Sequence, residues 1–350
     1  MKDIATLSKG SGISKDQLSD SGNPCILYGE LYTKYKSEII REVVSKTDID
    51  SFNLVQSKAN DVIIPCSGEA AIEIATARCV TMDDVLLGGD LNIIRLSDQD
   101  GGFFAYQLNG KRKVDIAKVA QGVSVVHLYG EHLKRVKVAY PSLMEQQKIS
   151  SFLTLLDERI ATQIKIIEKL ESLIKGLCQK LTQHGNPNTT LNEALVCYSS
   201  TLQENSVQET GDYPVYGATG VCGYTDVPEV DGDSILIIKD GASVGVTYYA
   251  SGRYSAIGTL NRLVAKREYS LRYLYYCLKV FNFAPYRTGL AIPHIYFRDY
   301  GKAKVWCPSL DEQQRIADAL SKVEQKIAIE KSLLEQLYSQ KRFLLQAMFI

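Results

Sequence analysis

The sequence has no excess of charge: 40 lysines and arginines balance 40 aspartates and glutamates over 350 residues. Without a global basic field it is neither histone-like nor a disordered basic chain, although a DNA binder with local basic patches is still allowed. Its eight cysteines never stand closer than thirteen residues apart and its four histidines show no ligand spacing. Structural zinc is therefore not expected, and the cysteines read as buried reduced thiols of a cytoplasmic protein. No run of 18 apolar residues is present to span a bilayer, and the segment after Met1 is too polar for a secretory signal. Apolar residues make up 45% and charged residues 23%, the proportions of a soluble globular chain. The length predicts two or three domains with cores of their own.

Catalytic motifs are also missing. There is no Gly-x-Gly-x-x-Gly, and Gly217-Ala-Thr-Gly220-Val-Cys-Gly223 has the wrong spacing for a dinucleotide loop. A phosphate-binding Gly-x-x-x-x-Gly-Lys-Ser/Thr loop, a Gly-x-Ser-x-Gly elbow and the Asn/Asp-Pro-Pro-Tyr/Phe motif of an amino-methyltransferase are absent. Asp240-Gly-Ala-Ser-Val-Gly245 reads as a tight hairpin that needs positive φ rather than as a ligand loop. No catalytic residue, metal or cofactor is expected.

What the chain does contain is a duplication. Pro141-Ser-Leu-Met-Glu-Gln-Gln-Lys-Ile149 returns as Pro308-Ser-Leu-Asp-Glu-Gln-Gln-Arg-Ile316, 167 residues later. The offset runs without a gap to Leu181 and Met348, with 15 of 41 positions identical. Upstream it still relates Gly122 to Gly289, His127 to His294, Tyr129 to Tyr296 and Lys137 to Lys304. A histidine repeated in this way reads as structural rather than catalytic. Farther back the match needs gaps: Phe103–Leu108 resembles Tyr273–Leu278, and Tyr28-Gly29 resembles Tyr216-Gly217. Each unit is thus a variable head followed by a well-matched tail.

Both tails read as long helices. Ile149, Leu153, Leu156, Ile160, Ile167, Leu170, Ile174, Leu177 and Leu181 fall on three- and four-residue steps, and so do Ile316, Leu320, Val323, Ile327, Leu334, Leu337, Leu344 and Met348. This periodicity, held over about five heptads, predicts a coiled coil. Gln163, Glu330 and Lys341 interrupt the seams and either fix the register or lie at a solvated edge. Ser142 and Ser309 are candidate N-caps, with Glu145 and Glu312 as capping-box partners, and His184-Gly-Asn-Pro187 ends the first helix. A helix of about 40 residues is about 60 Å long. Parallel helices would bring both heads to one end of a rod, and antiparallel ones would put a head at each end.

The heads carry β-rich runs at Asp61–Ile64, Asn92–Leu96, Ser234–Ile238 and Val244–Tyr249, and helical ones near Phe103–Leu108 and Leu271–Val280. Each reads as a mixed α/β domain. Fourteen of the 21 tyrosines lie in the second head, where most are expected to be partly buried. Candidate DNA contacts are Lys34 and Lys36 among tyrosines, Lys111, Arg112 and Lys113, then Arg262, Lys266, Tyr286 and Arg287. Arginine can read guanine bidentately and lysine can neutralise phosphate.

The repeated Pro-Ser-Leu-x-Glu-Gln-Gln-Lys/Arg-Ile, opening a long helix after each variable domain, resembles the specificity subunits of type I restriction-modification systems. The likeness covers essentially the whole chain. It implies an α+β chain with target-recognition domains at 1–140 and 186–307, and with spacer helices at 141–185 and 308–350 that form an antiparallel coiled coil. It also implies that each domain reads half of a split, asymmetric site in double-stranded DNA. The helices would set the unread gap and dock two methyltransferase (modification) subunits, and restriction subunits would add ATP-dependent cleavage. Family members usually carry some residues before the segment matching Asp3-Ile-Ala-Thr6, so the first head reads as clipped. The competing expectation is a tandem-repeat scaffold that binds proteins or peptides. An adenine-methyltransferase reading frame beside this one would separate the two.

Overall fold

A computed structural model describes residues 1–349. The chain divides into two compact units: Met1–Ile164 together with the chain from Ser332 onward, and Lys165–Lys331. The division falls after Ile164 and after Lys331, which are 167 residues apart and therefore equivalent in the duplication.

Each unit is built on an antiparallel sheet with the same strand order. In the first unit it runs Ala5–Lys9, Leu91–Leu96, Asp61–Pro65, Arg78–Val80, closed by the short parallel strand Ile39–Ile40. In the second it runs Leu195–Ser199, Leu260–Ala265, Ser234–Ile238, Thr247–Ala250. The central strands Asp61–Pro65 and Ser234–Ile238 are buried at every position, as expected of apolar runs covered on both faces. A second four-stranded sheet accompanies each one. The expected strand at Val244–Tyr249 starts only at Thr247. Its first residues turn instead: Val244 N–H donates to the Gly241 carbonyl, and Gly241 and Gly245 take φ of +103° and +92°. The glycines the sequence places in this hairpin are what break the strand.

One helix per head packs against its sheet: Gly101–Asn109 in the first and Leu271–Lys279 in the second. Asp100 and Ser270 cap them by accepting the N–H of Phe103 and Tyr273. These caps also join head to tail. Gln146, fully buried, accepts the Asp100 N–H at 3.0 Å and donates to the Pro141 carbonyl at 2.9 Å. Its equivalent Gln313 accepts the Ser270 N–H at 2.9 Å and donates to the Pro308 carbonyl at 2.9 Å. The first glutamine of the repeated motif therefore ties the start of each long helix to the N-terminus of its head helix. Replacing either by alanine removes the partner of a part-buried carbonyl and of an N–H that is part-buried at Asp100 and buried at Ser270. Each variant should lose about 1–3 kcal/mol in urea unfolding, whereas Gln147→Ala, on the exposed side of the same helix, should lose almost nothing.

The long helices span Leu143–Thr182 and Leu310–Ala347. At the start of the second, Ser309 Oγ accepts the Glu312 N–H at 3.4 Å, one half of the expected capping box. Beyond the first, the Cβ of any residue replacing Gly185 would meet the Trp306 indole at 2.2 Å, so the chain turns there on a glycine. Within each unit the two helix segments are antiparallel. In the first, Lys341 pairs with Asp157 at 2.6 Å while Met348 lines one cavity with Ile149; in the second, Lys331 pairs with Glu171 at 2.6 Å while Glu324 lies near Cys178. The residues read as seams are buried or half-buried throughout, with Leu153 and Leu320 fully so. Gln163 and Glu330, the polar interruptions, are buried too. Among the described residues no helix is long and apolar enough to cross a membrane.

Candidate nucleic-acid interface

The sequence-predicted contacts do not gather in one place. Lys34 is exposed but tied to its head, its ammonium donating to Glu30 at 2.7 Å and to Ser45 Oγ at 2.7 Å. Lys36 beside it is exposed. Lys111 is exposed as well, while Arg112 reaches Asp115 at 3.4 Å. Lys113 opens the short helix Lys113–Val119, and burial beside Arg78 holds its ammonium below the usual lysine range. A partly desolvated lysine of this kind is a weaker phosphate ligand than its sequence neighbours suggest.

In the second unit Arg262 stacks 4.3 Å over the half-exposed ring of Tyr198, on the edge strand. Lys266 donates to the Asn192 carbonyl at 2.9 Å. Tyr286 stacks on Phe281, and Arg287, exposed, donates to the Val244 carbonyl at 3.0 Å. Tyr286 and Arg287 thus adjoin the Asp240–Gly245 hairpin. Of the fourteen tyrosines, Tyr254, Tyr273, Tyr275, Tyr276 and Tyr300 are buried, and Tyr198, Tyr224 and Tyr296 are exposed.

A second arrangement, missed among the candidates, occurs once in each head. Gln121 and His127 exchange backbone hydrogen bonds at 2.9 and 2.7 Å, and Thr288 and His294 do the same at 2.9 and 2.7 Å. Each pair closes a loop on a glycine of positive φ, Gly122 at +121° and Gly289 at +87°. A Cβ there would sit 2.1 Å from the Val125 carbonyl oxygen or 2.3 Å from that of Ile292, so only glycine fits. Past the loop Leu128 and Ile295 are buried anchors. Leu128 N–H reaches the Cys66 carbonyl, and Ile295 N–H reaches that of Lys239. Next come the exposed Tyr129 and Tyr296, stacked on His127 and His294. The histidines diverge in one respect: His294 Nδ1 lies 2.8 Å from Asp240 Oδ1, where the first head places Ser67 in the strand pair. The signal was legible, since the ungapped offset relates every one of these positions.

The first head meets its helices at a buried acid. Asp157 accepts from Tyr106 OH at 2.9 Å, and its equivalent Glu324 accepts from Tyr276 OH at 3.0 Å. Each is neutralised by a lysine from a different source: Lys341 of the second long helix in one unit, Lys279 of the head helix in the other.

The chain thus holds two heads of one design, each bonded at its helix N-terminus to an equivalent long helix. The family described as the type I restriction modification DNA specificity domain matches residues 1–172 and 198–339. The chain belongs to this family. A Haemophilus influenzae protein named as a type I restriction enzyme specificity subunit is 28% identical over 89 residues, 25% of this chain and 23% of that protein. Among solved structures, the S subunit of the M. genitalium type I restriction-modification system aligns with a TM-score of 0.69 at 20% identity, covering 100% of this chain and 94% of that one. A chain from a structure describing complex assembly and conformational transition of the type I system aligns at 0.59 and 15%, covering 98% and 95%. Both share the fold. In a type I specificity chain the matched tails and dissimilar heads acquire a common logic: the repeated glutamines and acids hold each head to its helix, and the loops carry exposed chemistry.

Proposed function

We propose that this chain is the DNA-recognition subunit of a type I restriction-modification complex and performs no covalent chemistry itself. The recognition domains, 1–140 and 186–307, each read one half of a split, asymmetric site. The helices, 141–185 and 308–350, set the unread gap and dock two modification subunits. Adenine methylation from S-adenosylmethionine belongs to those subunits, and ATP-dependent cleavage to added restriction subunits. The observation that carries this reading is the duplication realised in three dimensions. Two different heads hang from near-equivalent helical surfaces, suited to an asymmetric DNA site on one side and two identical enzymes on the other. Half-sites about one helical turn apart would let both heads address the same side of the duplex. Net charge near zero suits a chain whose partners complete the basic channel, and alone it should bind DNA poorly.

Exposed Lys36, Lys111, Lys266 and Arg287, with Arg262 on its tyrosine, are the phosphate or base contacts this reading favours. Lys34, Arg112, Lys113 and Tyr286 are tied into their heads and contribute shape. Methylome sequencing of cells carrying the chain with its modification subunit tests the proposal. A two-part methylated adenine motif should be present, and should vanish on deletion of this chain. A methylome indifferent to the deletion refutes the recognition role.

A further inference from the structure

The two bridged loops expose apolar side chains at equivalent positions. Val123 is 97% exposed and Leu290 108%; Val125 and Ile292, two residues on, are 52% and 57% exposed. Apolar tips fully in water, repeated in heads that otherwise diverge, call for one kind of occupant shared by both units. Beside each tip the exposed tyrosine carries a cation over its ring: Lys9 at 5.7 Å from the Tyr129 centroid and Arg298 at 4.8 Å from that of Tyr296. Histidine, tyrosine and cation therefore form the same platform twice, next to an apolar point. On the second platform Arg298 also meets its neighbour Asp299 at 3.7 Å, a weak exposed pair, and Asp240 Oδ1 lies 2.8 Å from His294 Nδ1. Cations stacked on aromatic rings beside an apolar wedge complement a polyanion whose phosphates alternate with apolar sugar and base surfaces.

We propose that the loops Gln121–His127 and Thr288–His294 are a matched pair of DNA contacts that grip without reading sequence. Their apolar tips lie against sugars and base edges, while Lys9 and Arg298 neutralise neighbouring phosphates. The proposal rests on the recognition role above. Because the same tip occurs in both heads, it supplies affinity common to the two half-sites and leaves discrimination to the surfaces that differ.

The test uses the chain assembled with its modification subunits, comparing wild type with V123S/V125S and L290S/I292S. Each variant should bind a short duplex bearing the wild-type methylated motif about tenfold more weakly, and should lose the same factor on a scrambled duplex. The methylated motif should be unchanged, and native mass spectrometry should find assembly intact. A change of motif in one half-site would mean that the loop reads bases. Lost assembly would mean that the tips seat on a modification subunit. Unchanged affinity would mean that they touch neither. Each of these results overturns the proposal. If the wild-type complex methylates no motif, the recognition role itself fails, an outcome distinct from all three.

Discussion

Lys341→Met should destabilise the first unit by about 3–5 kcal/mol, the cost of leaving buried charges without their partner. The ammonium lies 2.5 Å from Glu38 Oε2 and 2.6 Å from Asp157 Oδ1, and both acids are more than nine-tenths buried. Burial pulls the lysine down, but the two carboxylates outweigh it and hold it above the ordinary lysine range. Burial pushes Glu38 up, against the pull of Lys341. Without the lysine two carboxylates face each other, with Tyr106 OH, Ser37 Oγ and Asn109 Nδ2 as their remaining donors. The folded pKa of Glu38, already raised by burial, then rises farther above its unfolded one. A group raised in this way favours folding while protonated and loses that contribution as pH climbs through its folded pKa. The deficit of the variant should therefore shrink on going from about pH 8 to about pH 5. Urea unfolding across that range checks it, with hydrogen exchange over Leu143–Ile164 locating the loss. The neutral triple variant E38Q/D157N/K341M should recover most of the stability. A deficit under about 1 kcal/mol, or one that grows toward acid, would mean that the cluster is solvated.

That cluster also marks what the sequence could and could not reveal. Lys341 interrupts an apolar series, so its position in a seam was legible from spacing. Its partner Glu38 lies 303 residues away and belongs to no pattern. The long helices were readable because a 3.5-residue period repeats over many turns and a duplicated motif marks both starts. The head helices were readable too, close to their observed ends. The strand order was not, since pairing such as Ala5–Lys9 with Leu91–Leu96 depends on contacts far apart in sequence. Nor does the sequence reveal which basic side chains are already paired within their own head. Lys34 looks free beside Tyr32 and Lys36, yet its charge is taken up by Glu30 within its own helical turn and by Ser45 from the strand Ser45–Thr47. The bridged loops were overlooked because exposed apolar residues in short irregular segments carry no periodicity. Only the 167-residue offset, followed residue by residue, makes Val123 and Leu290 one feature.

On the proposed reading, adding one helical turn to both long helices, after Ile164 and after Lys331, should lengthen the unread gap and leave both half-sites as they were. Four residues extend a helix by about 6 Å, and DNA rises about 3.4 Å per base pair, so the gap should grow by about one or two base pairs. The sites of insertion follow from the ion pairs. Asp157–Lys341 lies on one side of both insertions and Glu171–Lys331 on the other, so equal additions keep each pair in register. Four residues also continue the three-and-four spacing of the apolar seam, as a stutter that unwinds it slightly. An insertion in only one helix cannot satisfy both pairs, because every contact beyond it shifts by about 6 Å relative to its partner. That variant should unfold earlier and give no methylated motif at all. Methylome sequencing of the three chains, each with its modification subunit, distinguishes the outcomes. Altered half-sites with an unaltered gap would remove the helices from the measurement of distance and leave them only the task of holding the heads.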